Sequence, residues 1–260
     1  PRLTTPAPRA GPRPTPCPGP IPGQPSLHSH ERTPDMTFSL LARCPDTGRF
    51  GMVISSSSPA VAARCAHARA GIGVAATQNI TDPALGPRLL DEMAHGLSAA
   101  DAMDAVTASA PFIDYRQLLA VDAAGQTASH SGSQILGIWN TAAGDGVVAG
   151  GNLLANPGVP RAMVDAFATA TGDLGDRLIA ALRAGRAAGG EAGPVHSAGL
   201  LMVDALTWPL ADLRCDWSDS ACPIEAVARA WAVYAPQMAA YVQRARDPRQ
   251  APSYGVPGET

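Results

Sequence analysis

Apolar residues in this chain fall into short runs bounded by glycine, proline and small polar residues, and between those runs they recur at helical spacing. Residues 38–43 alternate less cleanly than a one-sided strand should, with Leu40 and Leu41 adjacent, which predicts a strand buried on both faces. Pro45-Asp46-Thr47-Gly48 is a turn signal, and residues 50–55 predict the returning strand of a hairpin. Four serines follow, Ser55 to Ser58, then Pro59, which suits the first position of a short helix capped by Ser58 and ended by Gly71. Residues 72–77 predict a third strand that runs into the polar group Thr77-Gln78-Asn79. Asp82-Pro83 opens a helix that Gly96 stops after His95. Ser98, with Asp101 three residues on, has the form of a capping box, and residues 99–109 carry Ala102, Ala105 and Val106 at helical spacing.

The sequence then returns to strands. Residues 115–121 and 126–131 flank a turn at Ala123-Ala124-Gly125, and 135–139 and 147–154 lie either side of Ala143-Gly144-Asp145-Gly146. Helices are predicted over 159–169 and 174–188, a strand pair over 195–204 and 210–216, and a terminal helix over 224–246 interrupted at Pro236. Hairpins dominate and helices come in pairs. A doubly wound parallel fold alternates strand and helix singly, so this order argues against one. It predicts an α+β fold, a four-layer αββα sandwich of two antiparallel sheets with helices outside.

Composition changes that picture at the ends. Residues 1–35 hold 11 of the 25 prolines, a density that prevents helix and interior strand. They are expected to be a disordered upstream extension, fragment edge or linker, ahead of one domain over 36–246 and a tail over 247–260. A formal charge of -3 gives no electrostatic footprint for nucleic acid or an anionic membrane. No apolar run approaches transmembrane length, and the amino-terminal segment lacks the apolar core of a secretory signal. The 5 cysteines show no CxxC pair or zinc spacing, which reads as free thiols in a reducing, cytoplasmic compartment. All 19 basic residues are arginine. Lysine Schiff bases, Ser–Lys dyads and Walker-type phosphate loops are therefore excluded, and an amine base has to be a chain terminus.

That terminus matters at Met36-Thr37. Removal of Met36 would give Thr37 a free α-amine, with an ordinary pKa of about 7.7–8.0, beside its own hydroxyl. An amine so placed can take the hydroxyl proton and let the oxygen attack a carbonyl. The plain alternative is a start methionine followed by a strand. Other hydrolytic devices are missing from the sequence. The 6 histidines form neither HExxH nor a metal spacing, and Val195 stands where a G-x-S-x-G elbow around Ser197 would need glycine. No cofactor or metal is expected.

The chain resembles the bacterial family catalogued as domain of unknown function 1028 (DUF1028), placed among proteins like the N-terminal-nucleophile (Ntn) hydrolases. The resemblance is carried by Met36-Thr37-Phe38-Ser39, Ser56-Ser57-Ser58-Pro59-Ala60-Val61, Ala70-Gly71-Ile72-Gly73, Ala76-Thr77-Gln78-Asn79, Leu85-Gly86-Pro87-Arg88, Tyr115-Arg116-Gln117, Gly151-Asn152-Leu153-Leu154, Asp212-Leu213-Arg214-Cys215-Asp216 and Tyr254-Gly255-Val256-Pro257-Gly258. It spans residues 36–258 and implies an αββα Ntn fold, in agreement with the layer order read from the pattern. It implies no substrate.

An Ntn site needs groups that polarise the carbonyl, hold the α-amine and recognise the substrate. Thr37 is the expected nucleophile and general base, with Asn79 and Asn152 as oxyanion or positioning donors. Gln78 would fix the amine, the run Ser55 to Ser58, Ser57 in particular, would line the same site, and Gly151 would allow close backbone approach. Arg116, beside Gln117 in an apolar strand, would clamp a substrate carboxylate. Thr77-Gln78-Asn79 could equally be a turn, and Arg116 an ion pair at a sheet rim. Arg214 and Asp216, two apart on one strand face, are expected to form a structural salt bridge. The preferred expectation is an amidohydrolase acting on a small-molecule amide, with homodimerisation allowed for. The alternative is a non-catalytic binding protein on the same fold, holding a metabolite or a partner.

Overall fold

A computed structural model of the chain describes residues 36–254. The expected proline-rich segment 1–35 and the last residues of the expected tail, 255–260, lie outside the described residues. The order of elements is β1 (Thr37–Arg43), β2 (Phe50–Ser56), α1 (Val61–Cys65), β3 (Ala66–Arg69), β4 (Gly73–Asn79), α2 (Leu85–Ala94), α3 (Ala99–Ser109), β5 (Arg116–Asp122), β6 (Thr127–Ser131), β7 (Asn140–Gly144), β8 (Val147–Asn152), α4 (Val159–Thr169), α5 (Leu174–Ala187), β9 (Ser197–Val203), β10 (Ala211–Cys215), α6 (Pro223–Tyr234) and α7 (Met238–Arg246).

The strands build two sheets, a 6-stranded one in the order β10-β9-β2-β1-β8-β7 and a 4-stranded one in the order β3-β4-β5-β6. Every pairing between named strands is antiparallel. Side chains alternate between faces along each strand, and that alternation sorts the core into three layers. Phe38, Leu40 and Ala42 of β1 pack with Val159 and Met163 of α4, Leu178 and Leu182 of α5 and Trp231 of α6. Leu41 faces the other way, joining Met52, Ile54 and Val148 against Val74, Ala76, Leu119 and Val121 of the second sheet. Ala75, Leu118 and Ala120 face outward under α2 and α3. Both faces of the central strands are covered, which is the physical reason Leu40 and Leu41 can be adjacent. The αββα sandwich expected from the element order is the architecture observed.

Three local expectations change. The run after Pro59 is not one helix: α1 lasts one turn and β3 follows at once, paired with β4 from Ala66↔Ala76 to Arg69↔Gly73. Gly71, at φ 71, turns that hairpin instead of ending a helix. Ser58 does not cap α1. The cap position is Ala60, with no side-chain bond, and the Ser58 hydroxyl accepts from Arg64 at 2.7 Å. Residues 135–139 are not a strand: Gly137 sits at φ 63 with its Cα packed against Leu153, and the paired strand is β7. Pro236 does interrupt the terminal helix, through a 3-10 turn at Ala235–Gln237, and a further 3-10 turn, Pro248–Gln250, lies in the tail. Ser98 caps α3, accepting from the Asp101 N–H at 3.1 Å. Arg214 lies 3.4 Å from the Asp216 carboxylate, the expected salt bridge. No helix of the described residues is long and apolar enough to cross a membrane.

Candidate functional site

The layer between the sheets is apolar along most of its length and polar at one end. Thr37 and Ser39 of β1 point into it, two residues apart on the face that carries Leu41. Ser56 of β2 and Asn152 of β8 are the cross-strand partners of Thr37 on either side. Gln78 of β4 and Gln117 of β5, register partners themselves, face them from the other sheet. All six side chains are buried, Thr37 being 4% exposed and the rest fully enclosed.

Burying polar groups without partners costs free energy, so this end is wired together. Ser39 donates to Gln78 Oε1 at 2.8 Å, and Gln78 Nε2 donates to Gln117 Oε1 at 2.8 Å. Gln117 Nε2 reaches Ser131 Oγ and the Gly151 carbonyl, each at 3.3 Å. Asn152 Nδ2 completes the chain at 3.4 Å from Gln117 Oε1. Its own Oδ1 is buried with no hydrogen-bond partner among the described residues. The Asn152 amide nitrogen is thus engaged by Gln117, and its Oδ1 is the acceptor left free on that side chain.

The bond preceding Thr37 is held as tightly. The Met36 N–H donates to Ser57 Oγ at 3.0 Å, and the Ser56 hydroxyl donates to the Met36 carbonyl. Ser56 Oγ also lies 3.2 Å from Thr37 Oγ1. A serine hydroxyl has one proton, and here the Met36 carbonyl takes it, so in the contact with Thr37 the threonine is the donor. Ser58 supports Ser56 from behind, its N–H donating to Ser56 Oγ at 3.0 Å. The Ser57 N–H donates to the buried carboxylate of Glu191 at 2.9 Å. Glu191 begins a segment that runs across the start of β1: Ala192 donates to the Leu153 carbonyl, and Gly193 faces the end of the Met36 side chain. Glu191, Gly193, Val195 and His196 also line a surface cavity of about 400 Å³, with Ser218, Asp219 and Cys222 opposite.

The structure therefore brings together Thr37, Ser57, Gln78, Gln117, Gly151 and Asn152 at one end of the sandwich, and places Asn79 and Arg116 at its rim. Asn79 sits at φ 70, donates to the Tyr115 carbonyl at 2.6 Å and accepts from the Leu136 N–H at 3.3 Å. Both ends of its amide serve the backbone. Arg116 donates to the Ile80 carbonyl. Gly151 is opposite Phe38 on β1, where a Cβ would lie 3.0 Å from the Thr37 carbonyl and 2.6 Å from Leu154. Two members of the site were missed from sequence, Ser39 and Glu191, while Ser56 was expected only as one of the run Ser55 to Ser58. Ser39 carried a signal, a hydroxyl two residues from Thr37 on a strand, whereas Glu191 lies in a loop. Among the described residues, no three His, Cys, Asp or Glu side chains are grouped to hold a metal ion.

Comparison with known proteins places the chain. The model of a family described as "Family of unknown function (DUF1028)" matches residues 37–227. A crystal structure of a protein from Silicibacter pomeroyi, titled as carrying the same family model, is similar at a TM-score of 0.71 and 29% identity, covering 76% of this chain and 89% of that one. A mutant of Anbu from Hyphomicrobium sp. strain MC1 aligns over 80% of this chain and 99% of its own, at a TM-score of 0.35 and 10% identity, a likeness too low to decide anything. No curated protein matches the chain.

Proposed function

The chain belongs to the DUF1028 family, whose description names no reaction, and from that premise we propose that it is an Ntn-type hydrolase cleaving a small amide through Thr37. One observation carries this reading: the Met36–Thr37 peptide lies with its carbonyl accepting from Ser56, while Thr37 Oγ1 sits 3.2 Å from the same serine oxygen. That is what exposure of a terminal threonine by self-cleavage requires. Thr37 Oγ1 bonds to the Met36 carbonyl carbon, its proton passing through Ser56 to the oxygen that becomes the tetrahedral alcohol. Collapse breaks the C–N bond, the proton moves to the Thr37 nitrogen, and water hydrolyses the resulting ester to leave the Met36 carboxylate and a free Thr37. Removal of a start methionine would reach the same product.

The released α-amine needs an acceptor, and the buried Asn152 Oδ1, across from Thr37, supports that role. In the reaction the amine takes the Oγ1 proton, Oγ1 bonds to the substrate carbonyl carbon, and Ser56 donates to the developing oxyanion. The leaving nitrogen collects the proton from the α-ammonium as the C–N bond breaks. Water then attacks the ester, releasing a carboxylic acid and restoring the hydroxyl. The test is intact mass and amino-terminal sequence of the untagged full chain and of its Thr37→Ala and Ser56→Ala variants. A terminus at Thr37 in the parent and a retained Met36 in Thr37→Ala are expected, with slowed processing in Ser56→Ala. A parent chain that keeps Met36 ends the hydrolase reading and favours the binding protein on the same sandwich.

A further inference from the structure

Residue 36 occupies a built subsite. Its side chain is 2% exposed, its N–H is received by Ser57 Oγ, its carbonyl by the Ser56 hydroxyl, and its terminal methyl lies where a Cβ on Gly193 would approach to 2.6 Å. The buried Glu191 side chain accepts from the Ser57 backbone N–H at 2.9 Å, fixing the residue whose hydroxyl receives the Met36 nitrogen. Each feature of an L-α-aminoacyl group, nitrogen, carbonyl and side chain, thus has its own contact beside the Thr37 hydroxyl. We infer that, once Met36 has left, this space is the acyl subsite of the enzyme, so that the substrates are amides of L-α-amino acids with an unbranched side chain of about methionine length.

This rests on Thr37 becoming the terminus, and the subsite then has a route to solvent, because Glu191 and Gly193 line the 400 Å³ cavity as well. Gly193 sets the length: any side chain there fills the space now taken by the Met36 methyl. The nitrogen is held as a donor, since Ser57 Oγ accepts from it and the Ser57 backbone is itself fixed by the Glu191 side chain. A β-branched acyl group must place a second carbon at Cβ, where Met36 has none.

The full chain that has shed residues 1–36 is titrated calorimetrically with L-norleucine, L-methionine and L-valine, and is assayed with the norleucyl and valyl p-nitroanilides. Saturable binding of norleucine and methionine is expected, with valine weaker by about tenfold or more, the discrimination a hydrophobic subsite commonly gives per missing or misplaced methylene. The norleucyl-to-valyl ratio of kcat/KM should match it and fall about tenfold in Gly193→Val. Turnover and binding without side-chain order would overturn the subsite and leave the nucleophile standing. Norleucine binding that Gly193→Val abolishes, with no anilide cleaved, would keep the subsite and remove the nucleophile. A chain that never sheds Met36 overturns both, and the mass measurement identifies that case.

Discussion

Replacing Gln117 with leucine tests whether the polar end of the sandwich is a stabilising network or a set of independent contacts. Gln117 Oε1 receives Gln78 Nε2 at 2.8 Å and Asn152 Nδ2 at 3.4 Å, and all three side chains are fully buried. Leucine removes the acceptor and leaves both donors enclosed without it. A buried donor stripped of its partner costs about 1–3 kcal/mol. The short bond is assigned about 2 kcal/mol and the long one about 1 kcal/mol on that scale. The 3.3 Å contacts from Gln117 Nε2 to Ser131 and to the Gly151 carbonyl add little. The apolar gain of leucine is small here, since its neighbours are serine, asparagine and glutamine. The expected loss is about 3 kcal/mol, or about 6–12 °C in Tm for a domain of this size, read from urea unfolding and calorimetry. Gln78→Leu should cost a comparable amount. The double variant should cost at least about 1 kcal/mol less than the sum, because removing both partners leaves fewer orphans. Strict additivity, or a loss below about 1 kcal/mol for Gln117→Leu, would refute the network.

Two further outcomes follow from the packing around the same strands. Gly151→Ala places a methyl 2.6 Å from Leu154 and 3.0 Å from the Thr37 carbonyl; Leu154 can yield but the β1 backbone cannot, so a loss of about 1–3 kcal/mol in urea unfolding is expected, together with slower appearance of the Thr37 terminus. Burial pushes the Cys65 thiol up to about 11, so at pH 8 roughly a thousandth of it is thiolate, and iodoacetamide followed by peptide mass mapping should label Cys65 last among the described cysteines. Cys44 differs: burial raises its thiol, but hydrogen bonds from Thr47 and the neighbouring backbone outweigh that and leave it below the usual thiol value. It should gain label before Cys65 at every pH where the fold is intact, and the reverse order would contradict the packing around α1.

How far the sequence exposed this site depends on what each residue's neighbours are. Strand and helix order was legible because both sheets are antiparallel and their hairpins are local, so alternation and turn residues carried the topology. Gln117 stood out as a lone amide inside an apolar strand, and Thr37 as a hydroxyl opening one. The β3 hairpin was not legible: Ala66 to Arg69 alternates over only four residues with small alanines on the apolar face, and a glycine after it signals a helix end as readily as a turn. Least legible was which of four consecutive serines matters. The register of β1 on β2 decides it: beside the turn, where Gly48 N–H bonds to the Cys44 carbonyl and Cys44 N–H to the Arg49 carbonyl, Arg43 lies opposite Phe50 and, six residues along each strand, Thr37 lies opposite Ser56. A slip of one residue would send that hydroxyl toward α5 and bring Ser55 or Ser57 beside Thr37 in its place. Inserting one residue between Asp46 and Thr47 lengthens the turn without touching the strands; if the register holds against the slip, as the alternating Met52 and Ile54 require, the Thr37 terminus still forms. The hydrophobic face of β2, more than the turn, is what keeps Ser56 on the Met36 carbonyl.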